Sequence, residues 1–166
     1  LYFGIICLIV TICSESEGCN PSNFQVMNQA VTNLKLAGTV VVISAGNAGS
    51  GCGTVANPAI FESSFTVGAT AANDTIAGFS SRGPATMDGS NRLKPNVSAP
   101  GQVMCAGAQG MKEAFGTSFS SPLVAGFAAC AWQANRSLSN MQLFREIEKS
   151  GHLYPYFDYA HGYGIP

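Results

Sequence analysis

The stretch TVVVISAGN, residues 39–47, decides the fold. Val40, Val41, Val42 and Ile43 follow one another with no polar residue between them. A strand with one wet face alternates apolar and polar side chains; a strand covered on both faces has no such need. The run therefore reads as an interior strand of a parallel sheet. The stretch before it, PSNFQVMNQAVTNLKLAG, reads as a helix lying against that sheet. Phe24, Met27, Val31 and Leu34 recur at spacings of three and four, which makes one apolar stripe on a helix. Ser22 and Gln25 fit a capping box at its start, and Gly38 supplies a left-handed stop. A helix feeding a fully buried strand is the unit of a layered α/β domain.

Working outward, SSFTVGAT (63–70) reads as another buried strand and AGFSSRGP (77–84) as a short strand ending in a turn. LKPNVSAPG (93–101) reads as an extended segment punctuated by prolines. SFSSPLVAGFAACAWQAN (118–135) reads as a buried helix with Phe119, Leu123, Phe127 and Ala131 on one face and small residues that allow close packing on another. Cys130 is expected as a small core residue of that helix, and Pro122 is tolerable within its first turn or so. A last helix starts at Ser139, boxed with Gln142, and stops before Gly151. At the front, LYFGIICLIVTIC (1–13) is apolar but too short to span a bilayer as a helix. It reads as a buried strand; a mis-translated or truncated start and an export or membrane segment are the alternatives.

The whole chain, 166 residues, has the length of one domain and shows neither repeat nor linker. Only 10 % of it is charged, against a usual share of roughly 25 %. Such a composition suits a piece of a larger globule, with faces covered by further chain. A net charge of −1 offers no basic field for nucleic acid or anionic lipid. The six cysteines contain no Cys-x-x-Cys pair and only two histidines accompany them, so no metal site is expected. Cys19 and Cys52 sit in polar, Gly-rich stretches and could pair in an oxidising compartment.

FGTSFSSPLVAG, residues 115–126, is where chemistry enters. A serine at the mouth of a buried helix usually only caps it. Here Gly116 lets the backbone approach a ligand, and the helix N-terminus offers free amides and partial positive charge to a developing oxyanion. A second donor is on hand in Asn47, at the end of the buried strand, although a turn asparagine tolerating a left-handed conformation has the same appearance. Sites in parallel sheets form at such strand ends.

Taken together, these segments resemble the subtilisin-like serine proteases. GTSFSSPLVAG is similar to the family's nucleophile signature, SAGNAGSG to its oxyanion-hole strand and turn, FSSRGP and KPNVSAPG to the segments between, and YFDYAHGYGIP to its terminal region. All occur in family order, over roughly residues 19–166. The resemblance implies a partial doubly wound, three-layer subtilisin-like α/β fold with a mainly parallel sheet. It implies Ser118 as nucleophile and Asn47 as oxyanion donor, with the Ser118 N–H as the second donor. Ser44, Ala45 and Gly46 would line the primary substrate pocket, and Gly116 and Thr117 would also bind substrate. Asn96 stands where the family commonly has Asp.

A serine hydroxyl needs a positioned base, usually His oriented by a carboxylate. In this family both precede the serine, in Asp-Ser/Thr-Gly and His-Gly-Thr-His motifs, and neither motif occurs here. His152 and His161 both follow Ser118; a rearranged base from this segment with Asp158 is the weaker alternative to a structural, aromatic-rich terminus. The expectation is the C-terminal part of a subtilase catalytic domain, residues 1–166, whose opening 13 residues depart from the family pattern. The full-length parent would be a secreted serine endopeptidase acting on proteins or peptides and completed by its N-terminal half, and this chain alone would be inactive. A catalytically dead pseudoprotease or peptide-binding module is the competing reading. No cofactor is expected; the resemblance admits calcium, but no acidic cluster marks a site.

Overall fold

The computed structural model describes residues 5–8 and 21–166. Strand β1 (Ile5–Leu8), helix α1 (Pro21–Leu36), strands β2 (Val40–Ser44), β3 (Phe65–Thr70) and β4 (Val97–Pro100) come first. The hairpin β5 (Gln102–Gly107) and β6 (Gly110–Phe115) follows, then helices α2 (Thr117–Ala134) and α3 (Asn140–Ser150). The first four strands form one parallel sheet in the order β1-β2-β3-β4, with Ile5 opposite Val40, Val42 opposite Phe65 and Val67 opposite Val97. All five residues of β2 and all six of β3 are buried, as befits strands covered on both faces.

Two cores lie on opposite faces of this sheet. Val41, Ile43 and Ala45 point to one, where Phe24, Met27, Val31 and Leu34 of α1 pack with Ile60 and Phe61. Val40, Val42, Phe65 and Val67 point to the other, against Val124, Ala125 and Ala128 of α2 and Leu143, Phe144 and Ile147 of α3. The alternate residues of each strand thus feed alternate layers, giving the expected three-layer order. Gly38 adopts φ +87° after α1, the left-handed stop. Helix α3 carries both bonds of its capping box: the Gln142 N–H donates to Ser139 Oγ, and the Ser139 N–H donates to Gln142 Oε1 at 2.9 Å. The Ser22 cap and all of residues 1–13 apart from the backbone of β1 lie outside the described residues or side chains.

Several expectations are corrected. Residues 77–84 are not a strand; the Ala77 N–H donates to Ala69 O of β3 at 2.9 Å, and most of the remaining backbone bonds go to the 46–55 loop. Within α2 the buried face is Thr117, Ser120, Ser121, Val124, Ala125 and Ala128. Leu123 and Phe127 are 51 % and 39 % exposed, and Cys130 is exposed too rather than in the core. The helix approaches the sheet closely, and only small or β-branched residues fit between them. Pro122 is the sixth helical residue, beyond the first turn, where its ring cannot donate to the Ser118 carbonyl. Cys52 carries a free, exposed thiol instead of a bridge to Cys19, which lies outside the described residues. The 102–115 hairpin had no counterpart in the sequence reading.

Candidate functional site

The C-terminal ends of β2 and β4 converge on the N-terminus of α2. Strand β2 runs out through Ala45, whose N–H still donates to Val67 O at 2.9 Å, and then turns at Gly46 with φ +106°. From β4 the chain passes Gly101, whose carbonyl accepts the Gly116 N–H at 2.9 Å once the β5–β6 hairpin has returned. Gly116 is the N-cap of α2, at φ 154° and ψ 150°, a region essentially reserved for glycine. A Cβ there would also stand 3.4 Å from Asn47 Nδ2. Glycine at 116 therefore serves both the backbone turn and the close approach of Asn47.

The structure brings Asn47 and the Ser118 turn together. The Thr117 N–H donates to Asn47 Oδ1 at 3.0 Å, and the Thr117 hydroxyl donates to the same oxygen at 2.9 Å. A backbone N–H can only donate, so the atom facing Thr117 must be the carboxamide oxygen. The amide group Nδ2, with its two N–H donors, is thereby turned to the Gly116 side, 3.4 Å from where a Gly116 Cβ would stand. The Thr117 hydroxyl in turn accepts the Gly46 N–H at 3.3 Å. Asn47 is exposed and Ser118 half-buried, so the pair lies on an open surface. Ser118 is the second residue of α2, in the first turn, whose amides point toward the open N-terminal end of the helix. The helix N-cap makes no side-chain bond, which leaves this positive end unscreened by its own residues.

Of the expected pocket residues, Ser44 and Ala45 are buried at 4 % and 1 % exposure, and Gly46 is half-buried. What this stretch offers to solvent is the backbone at Gly46. Thr117 is 1 % exposed and works as the orienter of Asn47, a part its place on the motif did not disclose. Ser81, given no role in the sequence reading, touches both peptide groups that flank Asn47. It stands in the FSSRGP segment, which marked the family resemblance but gave no hint of what Ser81 itself does.

Asp158 and His161 do form a pair, Oδ2 to Nδ1 at 3.0 Å. Burial pushes the Asp158 carboxyl up, but hydrogen bonds from the His161 and Ala160 N–H groups outweigh it and hold the group below its ordinary value. The pair belongs to the terminal segment, which is stitched to the first half of β4: Ser98 Oγ donates to His161 O and the Tyr163 N–H donates to Asn96 O. Ser118 lies past the other end of that strand. His152 is likewise committed, its Nδ1 accepting the Ile165 N–H at 2.9 Å. Among the described residues no group of three or more His, Cys, Asp or Glu is placed to hold a metal ion. Among the same residues no helix is long and apolar enough to cross a membrane.

A parallel sheet with helices on both faces, and a serine at the mouth of the helix beyond its strand ends, defines a subtilisin-type α/β protein. The comparisons agree. The model described as the subtilase family matches residues 8–164. Serine protease AprX of Bacillus subtilis (strain 168) is 35 % identical over 147 aligned positions, covering 74 % of this chain and 32 % of AprX. Subtilisin Savinase of Lederbergia lenta is 35 % identical over 133 positions, covering 79 % of this chain and 45 % of its own length. Among solved structures, sphericase superposes with a TM-score of 0.77 at 27 % identity, covering 97 % of this chain and 56 % of that one. The chain belongs to the subtilase family. It spans about half or less of the length of these relatives.

Proposed function

We propose that residues 1–166 are the C-terminal part of the catalytic domain of a secreted serine endopeptidase, with Ser118 as its nucleophile. The Ser118 hydroxyl oxygen bonds to the scissile carbonyl carbon and its proton passes to a base. The carbonyl oxygen becomes an oxyanion received by Asn47 Nδ2 and the Ser118 N–H; collapse expels the amine and leaves an acyl-enzyme, which water then hydrolyses. The base and its carboxylate come from polypeptide outside this segment. Both histidines here are tied into the terminal segment away from Ser118. Protein and peptide substrates are the partners this chemistry implies, together with the N-terminal half that supplies the base.

The observation that carries the reading is the double hydrogen bond from Thr117 to Asn47 Oδ1, which fixes an amide donor beside Ser118. A turn asparagine kept only for its backbone would have no use for a buried threonine aiming its side chain. The experiment is labelling by a serine-directed fluorophosphonate together with hydrolysis of an unselective peptide. The full-length protein is labelled at Ser118 and turns over substrate, and Ser118→Ala does neither. The isolated chain does neither at a measurable rate, since without the base only about 10³–10⁴-fold catalysis over water survives. Rapid labelling of the isolated chain at Ser118 would place the base within it and refute this assignment. A full-length protein that binds peptides without cleaving them would be the pseudoprotease instead.

A further inference from the structure

The turn that presents Asn47 has little in its own sequence to hold it still. Gly46 and Gly49 both sit at positive φ, +106° and +92°, and Ala48 between them and Asn47 is exposed. The grip comes from residues 77–82, which run alongside. The Gly49 N–H donates to Phe79 O at 2.9 Å. Ser81 does more: its N–H donates to Gly46 O at 3.0 Å, and its Oγ accepts the Ala48 N–H, also at 3.0 Å. One residue thus pins the backbone immediately before and immediately after Asn47. Ser81 is fully buried, and the fit is tight, since a Cβ on Gly46 would lie 2.9 Å from its Oγ.

We infer that Ser81 is a positioning residue for the oxyanion donor, setting the direction of the Asn47 carboxamide from behind without touching substrate. The inference rests on the role proposed above for Asn47 and extends it to a residue on a separate loop. An oxyanion donor works only if it is held within a few tenths of an ångström and some 10–20° of its productive geometry. Thr117 fixes the far end of the side chain at Oδ1. Ser81 fixes the near end, the backbone from which the side chain projects. With both anchored, the swing of Nδ2 is confined; with Ser81 Oγ removed, Ala48 is released to solvent and the carboxamide is anchored at one end only.

The test is a double-mutant cycle in the full-length protease. Ser81→Ala is expected to lower kcat by about 10-fold with KM changed less than about 2-fold, because the lost contact acts only on the transition state. Asn47→Leu lowers kcat by about 10²–10³-fold. In the Asn47→Leu background, Ser81→Ala lowers it no further, since the group Ser81 aims is gone. Ser81→Cys, which keeps the shape but offers a weak acceptor, falls between wild type and Ser81→Ala, and it carries the same cycle if Ser81→Ala does not fold. An equal loss in both backgrounds would show that Ser81 supports the fold at large and would overturn the inference, as would full activity of Ser81→Ala. Activity surviving in Ser118→Ala would instead sink the nucleophile assignment and leave the brace without an object.

Discussion

Replacing Lys94 by methionine should flatten the alkaline side of the stability profile. Lys94 is 3 % exposed, and its Nζ donates to Ser64 O at 2.6 Å and to Asn96 Oδ1 at 3.1 Å. Neither partner carries a charge. The carboxylate of Glu148 is one amide away, accepting from Asn96 Nδ2 at 2.8 Å, and Glu62 acts from further off. Burial, aided by Arg92 and Lys35, outweighs both and lowers the ammonium from its usual 10.5 to about 7. The unfolded chain keeps that proton until about pH 10.4. Between these values the unfolded state binds up to one proton more than the folded state, so stability rises with pH. The slope is at most about 1–1.5 kcal/mol per pH unit, or roughly 2 kcal/mol between about pH 7.5 and 9.5. Urea unfolding of the full-length Ser118→Ala protein, which cannot digest itself, followed by circular dichroism, reads this. Lys94→Met should lose the rise across that window. Asn96→Asp should lose it by another route, because a carboxylate so close to Nζ keeps the lysine charged in the fold. A Lys94→Met profile that climbs as steeply as the unsubstituted one would refute the assignment.

Three other substitutions probe the site and the packing that holds it. Thr117→Val keeps the shape but removes the hydroxyl that donates to Asn47 Oδ1 and accepts the Gly46 N–H; unfolding midpoints should show about 1–2 kcal/mol lost, and kcat of the full-length protease should fall about 10-fold at constant KM. Phe144→Ala removes a buried ring 4.6 Å from Phe65 where α3 meets the sheet, and denaturant titration should show a loss of about 3–5 kcal/mol. Ser139→Ala removes the hydroxyl half of the α3 capping box and should lower stability by about 1 kcal/mol, with peptide hydrolysis by the full-length protein unaffected.

What the sequence disclosed, and what it withheld, divides along physical lines. The buried strands were legible because a run such as Val40–Ser44 has one comfortable home, between two apolar layers. Helix α1 was legible because its stripe has one apolar side and so one orientation. Helix α2 was legible only in part because it is apolar on every side: its small residues were expected to pack closely, and the sheet admits Ser121, Val124, Ala125 and Ala128, but pattern alone did not show that Leu123 and Phe127 face solvent. The β5–β6 hairpin went unread because nearly all of β6 is exposed and GMKEAF carries no period. Residues 77–84 were taken for a strand on composition, but they touch the sheet only at Ala69 and otherwise bond mainly to the 46–55 loop. At the site, Ser118, Asn47 and Ser81 all stand in segments that carry the family resemblance, but the work of Ser81 shows only in what it touches, 33 residues away at Ala48.

The misreading of α2 leads back to the chemistry. Thr117–Ala134 contains no charged residue, and a helix apolar all round belongs in an interior. One face meets the sheet; the other presents Leu123, Phe127 and Cys130 to solvent. Leu123 and Phe127 lie five and nine residues after Ser118, which at 1.5 Å per residue is roughly 8–14 Å along the helix axis. Polypeptide that covers this face therefore also runs past the mouth of the helix where the serine sits. On the function proposed here, burying that face and bringing a base to Ser118 are one event.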